Sequence, residues 1–308
     1  MKFLGITPVH EFDGKFVKRE DLAYWTSLEY PSGSKVRQYM EMAALTVANE
    51  GYAPCLVGCS ANSAMAIYVA STAKILGTKG IIYTAKRKVR SASITYALSL
   101  GAEVNEMTSK QGHYLQHLQR HARQRAIDLK QYVEWDRKAA IKDTMEQCEN
   151  VAEQVIRGIK PIKRIIVPTG SGLTAAGVIL GLTWCGLGGR PECPTVTTVA
   201  TSPMATVDSI MKLVKRVALD YPMAGSWFTK LEFIGPSTPY DTPVIESLPD
   251  GTPLDPYYAA KAWKYVEKDD LFWPVGLRPI ISMPEICQRE FKDWKGPQKA
   301  IMKLKNDR

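Results

Sequence analysis

The sequence predicts an α/β fold with mostly parallel sheets, and three observations predict it. From Cys55 to Val104, short apolar strand-like runs alternate with helical periodicity. The connections there leave no room for hairpins, so the strands run parallel with right-handed crossovers. Further on, the apolar run Arg164-Ile165-Ile166-Val167 passes through a glycine loop into another helix, which repeats the βα unit. A chain of 308 residues is long enough for two domains of this kind.

Composition narrows the class. Hydrophobic residues at 45% and charged residues at 23% are ordinary for a globular enzyme and exclude a disordered or fibrous chain. The formal charge of +9 points toward anionic partners and says nothing about the fold. Six cysteines, at 55, 59, 148, 185, 193 and 287, include no Cys-x-x-Cys pair and are too few for a disulfide scaffold, so a reducing interior is expected. The opening Met1–His10 has too short an apolar run for a signal peptide. The apolar stretch Leu173–Trp184 is too short and too glycine-broken to span a bilayer. The expectation is a cytoplasmic protein with no membrane association.

In order, Lys15–Lys18 alternates as a short strand before the charged turn Arg19-Glu20-Asp21. From Lys35 to Gly51 the apolar residues recur at helical spacing, which places Lys35 at a helix N-terminus. There the positive end of the peptide dipoles disfavours an ammonium and keeps an amine available. Cys55–Gly58 reads as a buried strand, Ser60–Ser63 as a turn, and Ala64–Leu76 as a helix ended by Gly77. Ile81–Thr84 is the next strand, Ser91–Leu100 the next helix, and Gly101–Val104 the next strand. Residues 110–160 read as mostly helical and highly charged. Thr195–Ala200 is a strand and Val207–Leu219 a helix; 222–257 is rich in Pro, Gly, Thr and Ser and is expected to wrap the active-site mouth. A helix from Asp255 to about Val266 and a last strand and loop over Leu271–Gly276 complete the pattern, before a Lys-rich tail that reads as solvated.

The chemistry starts in the loop Thr169-Gly170-Ser171-Gly172-Leu173-Thr174. Glycines let the backbone close around a phosphate, the amides of the following helix point at it, and the hydroxyls add donors. The loop lacks the third glycine and the downstream acid of a dinucleotide fingerprint, which favours a small phosphate ester. With Lys35 behind a Gly-Ser turn and Asn62 in a later turn, the chain carries a lysine, an Asn-bearing turn and a phosphate cradle in that order. A pyridoxal-phosphate enzyme needs that set.

Thr7-Pro8, Lys18-Arg19-Glu20-Asp21, Gly33-Ser34-Lys35-Val36-Arg37, Ser60-Ala61-Asn62-Ser63, Gly101-Ala102, the run Gly170–Gly177 and Asp255-Pro256-Tyr257-Tyr258 follow the order of one family. Over nearly its whole length the chain resembles the fold type II, tryptophan synthase β-like pyridoxal-phosphate enzymes, nearest the aminocyclopropane-carboxylate deaminase and D-cysteine desulfhydrase branch. The resemblance implies two three-layer αβα domains and a homodimer. It implies pyridoxal 5'-phosphate bound through a Lys35 Schiff base, with Asn62 on the cofactor's phenolic oxygen and Gly170, Ser171, Gly172, Leu173 and Thr174 on its phosphate. Tyr240 and Tyr258 fall where the family carries active-site tyrosines, and Ser60 and Ser63 where it meets substrate. The implied activity is at Cα or Cβ of an amino acid, of lyase or deaminase type. Two positions depart from the branch: its substrate-directed serine is Ala61 here, and the threonine that meets the pyridine nitrogen is Val275. Cofactor binding is therefore expected, and the deaminase route through that serine is not.

Other features weigh on the reading. His113, His117 and His121 form a helical stripe but lie among Arg120, Arg123 and Arg125, so no metal site is expected. Cys55 and Cys59 read as small core residues. The loop Lys86-Arg87-Lys88-Val89-Arg90 carries four positive charges at the carboxyl end of a parallel strand, where ligand crevices form. It reads either as a solvated loop or as a steering patch for a polyanion. The partner expected first is thus a small amino acid or amino-acid-modified substrate. An alternative is a decarboxylase or lyase acting on an amino acid attached to a nucleic-acid base, and a further one is a non-catalytic ligand-binding descendant. The domain expectation is a smaller α/β domain at 45–158 and a larger cofactor-binding one from 1–44 and 159–308.

Overall fold

A computed structural model describes residues 5–23, 33–108, 114–221, 229–240 and 242–275. The elements in chain order are β1 (Val9–Phe12), β2 (Lys15–Lys18), α1 (Ser34–Glu50), β3 (Cys55–Gly58), α2 (Met65–Leu76), β4 (Gly80–Ala85), α3 (Ala92–Ser99), β5 (Glu103–Met107), α4 (Tyr114–Leu129) and β6 (Val133–Glu134). Then follow α5 (Arg137–Glu146), α6 (Glu149–Ile156), β7 (Arg164–Thr169), α7 (Leu173–Trp184), β8 (Thr195–Ala200), α8 (Val207–Ala218), β9 (Leu231–Ile234), α9 (Ala259–Trp263) and β10 (Asp270–Phe272). The chain is α/β and divides into two compact units.

One unit, described over residues 35–108 and 114–136, holds a four-stranded sheet in the order β5-β4-β3-β6, parallel throughout. Its core joins Tyr39 and Ala43 of α1 to Cys55, Ala66, Val69, Ile82, Ile94 and Val133. These apolar residues recur every three or four positions in the helices, so each helix turns one face to the sheet. Gly101, at φ +85°, ends α3: its amide reaches Leu98 O and that of Ala102 reaches Ala97 O. These two bonds form a glycine-terminated helix cap, so β5 begins at Glu103 and not at Gly101 as the pattern suggests.

The other unit, described over 5–23, 33–34, 137–221, 229–240 and 242–275, holds a six-stranded sheet in the order β1-β2-β10-β7-β8-β9. Every pairing is parallel except β1 with β2. That hairpin turns at Asp13-Gly14, both at positive φ, which is the turn chemistry a two-residue hairpin demands. α7 is buried from Leu173 to Leu182, and Gly177 and Gly181 admit α5 and Cys148 so closely that a Cβ would come 2.5 Å from Thr144 Cβ or Cys148 Sγ.

Three elements correct the sequence reading. β6 interrupts 110–160, where charge hid a two-residue strand. β9 lies within 222–257; as an edge strand it exposes Glu232 and Phe233 and so lacks a strong apolar signal. The last helix runs only Ala259–Trp263, because Asp255 Oδ1 accepts the amides of Tyr257 and Tyr258 and fixes 255–258 as a turn. The Lys-rich tail lies outside the described residues. Among the described residues no helix is long and apolar enough to cross a membrane.

Candidate active site

In the smaller-sheet unit, the candidate residues collect at the carboxyl edge of the strands. α1 leads through residues 51–54 into the start of β3, and Gln131, just before β6, donates to Glu50 O, so the helix runs antiparallel to these strands. Midway, Tyr39 Oη donates to Leu56 O at 3.1 Å and Val133 O at 3.0 Å, fastening α1 across β3 and β6. Lys35 is half-buried and lies four residues nearer the helix N-terminus, about 6 Å further toward the carboxyl edge.

At that edge the turn after β3 closes with Ser63 N donating to Ser60 O at 3.0 Å, and Ser63 Oγ accepts the amide of Met65 at 3.2 Å. Ala61 and Asn62 are buried within this turn, while Ser60 and Ser63 are half-buried. Ser91 Oγ donates to Ala61 O, and Arg87 Nη1 donates to Asn62 Oδ1 at 3.4 Å. The contact of Arg87 with Asn62 escapes a reading of motifs one at a time. The topology signals it, because β3 and β4 are adjacent and their carboxyl ends carry both residues.

In the larger-sheet unit, β7 leads into the turn Gly170-Ser171-Gly172 and then α7. Thr201 N and Oγ1 both hold Thr169 O, at 2.9 and 3.1 Å, and pin the end of the strand. Gly172 caps α7 at φ +83° and no side chain caps its amides, so the N-terminal N–H groups are open to an anion. Leu173 and Thr174 are buried and Ser171 is exposed. A Cβ on Gly170 would lie 2.7 Å from Tyr258 Cε1, so only glycine allows that ring to close against the turn. A small phosphate group fits this cradle of free amides.

Tyr258 Oη lies 2.9 Å from Tyr240 Oη, with the ring centroids 6.0 Å apart at 76°. Asp255 sets Tyr258 through its amide bond. Lys261, buried in α9, donates Nζ to Pro239 O at 2.6 Å and Tyr240 O at 3.0 Å, tying down the other tyrosine. A lone lysine amid Ala259-Ala260-Ala262-Trp263 is the sequence signal for that tether. Val275, just beyond β10, is buried and its carbonyl accepts Ser34 Oγ at 2.7 Å, while its side chain offers no hydrogen bond. The sequence is matched over residues 2–231 by the model of a family described as pyridoxal-phosphate dependent enzyme.

The chain belongs to that family. Its cofactor is therefore pyridoxal phosphate and the chain is an enzyme, of the fold type II architecture expected from the motifs. Among solved structures it is similar to an ACC deaminase homologue, at 17% identity and a TM-score of 0.67 over 89% of this chain and 91% of that one. It is also similar to a fungal L-serine ammonia-lyase from Rhizomucor miehei, at 13% identity and TM-score 0.56 over 95% and 99% of the two chains. A third is the Escherichia coli diaminopropionate ammonia lyase, at 13% identity and TM-score 0.55 over 93% and 87%. At such identities the likeness speaks for the fold. No curated protein matches the sequence.

The remaining motifs of this pyridoxal-phosphate-dependent enzyme are scaffold. Lys18 is buried, donating Nζ to Thr7 O at 2.6 Å and Asn150 Oδ1 at 2.8 Å. Arg19 joins Asp21 and Asp250, and Glu20 Oε1 accepts Trp273 Nε1 at 3.2 Å. On α4 His117 is exposed and His121 half-buried, with their Nε2 atoms 3.2 Å apart; His113 lies outside the described residues, and no cluster of three metal-ligating groups occurs among those described.

Proposed function

We propose that the enzyme acts at Cα or Cβ of an amino acid, as a lyase or deaminase, with Lys35 as the amine that anchors the cofactor covalently. The observation that carries this reading is the turn Gly170–Gly172, whose uncapped amides and glycine-only contact with Tyr258 suit the cofactor's phosphate. When bound, the cofactor supplies a conjugated ring that takes up the electrons released at Cα.

The chain's own groups then divide the work. Lys35 would take the proton from Cα. Asn62 donates from Nδ2 to the ring oxygen, because its Oδ1 is turned to Arg87. Ser60 and Ser63 bind the substrate carboxylate from the turn. Tyr258 and Tyr240, in hydroxyl contact, orient the substrate and pass a proton to its leaving group. Ala61 contributes no hydroxyl, so the route that needs a serine there is excluded from the proposal. Val275, where the branch carries a threonine for the ring nitrogen, would itself offer that nitrogen no side-chain hydrogen bond, which suits eliminations that do not demand a strongly electron-withdrawing ring. A cytoplasmic homodimer completes the proposed setting.

The visible absorption spectrum of the purified protein beside Lys35→Ala tests this. A band in the first that is lost or shifted in the second is expected. No band in either after addition of pyridoxal phosphate would overturn the assignment of Lys35 and the turn together.

A further inference from the structure

The loop between β4 and α3 is both cationic and fixed. At its start Lys86 N donates to Met107 O at 2.9 Å, and at its end Ser91 Oγ donates to Ala61 O. Arg90 forks onto Glu106 with two bonds of 3.1 Å and is neutralised there. Lys86, Arg87 and Lys88 are all exposed and have no carboxylate partner among the described residues. Three neighbouring like charges repel, and a loop pinned at both ends cannot splay to relieve them. A multiply charged anion arriving from solvent would relieve that repulsion. The same loop reaches the Asn62 turn through Arg87.

We infer that the loop 86–90 recognises a phosphate-type anion carried by the substrate beyond its amino-acid part, with Arg87 shared between that anion and Asn62. The inference rests on the reading that Asn62 serves the cofactor. A guanidinium flanked by two ammonium groups exceeds what one carboxylate needs and matches a multiply charged phosphate group. The shared chemistry has two sources, a small phosphate ester or the phosphodiester of a nucleic acid. Arg87 is also a positioning residue: by holding Oδ1 it leaves Nδ2 as the donor of Asn62, so an anion that draws Arg87 away is felt at the cofactor.

The test uses the holoenzyme, in which the cofactor fills the cradle at Gly170–Gly172. Inorganic pyrophosphate is titrated by calorimetry and by the visible band, at low and moderate salt. We expect saturable binding that weakens at least tenfold in Lys86→Gln/Lys88→Gln, and a band shift at saturation that Arg87→Gln abolishes. A short single-stranded DNA in place of pyrophosphate separates the sources. Tighter binding with a steep salt dependence assigns the nucleic-acid phosphodiester, and equal or weaker binding assigns the small ester. Either supports the loop as the anion site. A normal visible band with no anion binding, or with binding that the double variant leaves unchanged, overturns this inference alone. Absence of any band, in wild type and variants alike, overturns the cofactor reading beneath it.

Discussion

Tyr240 and Tyr258 meet hydroxyl to hydroxyl at 2.9 Å although 18 residues separate them, and each is held from behind by a different buried charge. Lys261 ties the carbonyl of Tyr240, while Asp255 accepts the amide of Tyr258. Both anchors act on the backbone, and the two hydroxyls meet one another. Tyr258 also lies against Gly170, so the pair stands beside the proposed phosphate turn.

If the two phenols pass a proton as a unit, removing either hydroxyl breaks the unit. Tyr258→Phe and Tyr240→Phe are each expected to lower kcat by roughly 10²- to 10⁴-fold with an amino acid bearing a leaving group at Cβ, such as β-chloroalanine. The double variant is expected to lose little more than either single one, because the effects are not additive for a coupled pair. Additive losses would show two independent roles.

Gly170→Ala is expected to weaken cofactor binding at least tenfold, read by spectral titration of the apoenzyme. The new Cβ would approach Tyr258 Cε1 to 2.7 Å, and either the ring or the turn must move. Tyr258→Ala removes the obstructing ring, so Gly170→Ala added to that background is expected to cost less than in the wild type. An equal cost in both backgrounds would place the effect in the turn's own conformation.

Much of this was legible in the residues, and the gaps have physical reasons. Strands buried on both faces, such as β3, β7 and β8, are apolar runs that announce themselves, and Gly77 and Gly101 punctuate the helices before them. β1 escaped because Val9 and Phe12 are only half-buried, yet Asp13-Gly14 carried the hairpin signal. β6 and β9 take their identity from neighbours in the sheet, which no local pattern contains. The same holds for the candidate site. Lys35, Asn62 and the glycine turn are marked by local motifs, whereas Arg87 and Lys261 gain meaning only from residues 25 and 21 positions away.

The charged motif at 18–21 should behave as scaffold. Arg19 binds Asp21 through Nε and Nη2 and Asp250 through Nη1, with the side chains of Arg19 and Asp21 each 7% exposed. Arg19→Ala would remove the guanidinium that Nε and Nη2 place on the buried Asp21 carboxylate, a change that costs about 3–5 kcal/mol when such a pair is deep. Chemical denaturation should show the loss as a lower midpoint. Loss of activity with an unchanged midpoint would instead move Arg19 into the catalytic machinery.

Alkali should expose the buried thiols of the smaller-sheet unit. Burial pushes Cys59 up to about 12, and Cys55 up to about 11 against the opposing bond with Thr78. An unfolded thiol ionises near 8.5, so above that pH the unfolded chain binds fewer protons than the native one and stability falls as pH rises. The contribution is whole below the unfolded value and is lost between about pH 8.5 and the folded values. Each thiol steepens the decline by about 1.4 kcal/mol per pH unit within that window. Cys59→Ala is thus expected to flatten the alkaline limb of a stability-against-pH curve while lowering its plateau near neutrality, because the site loses a buried sulfur. An alkaline limb as steep as that of the wild type would mean that Cys59 ionises as readily in the native protein as in the unfolded chain, and that its side chain is open to water.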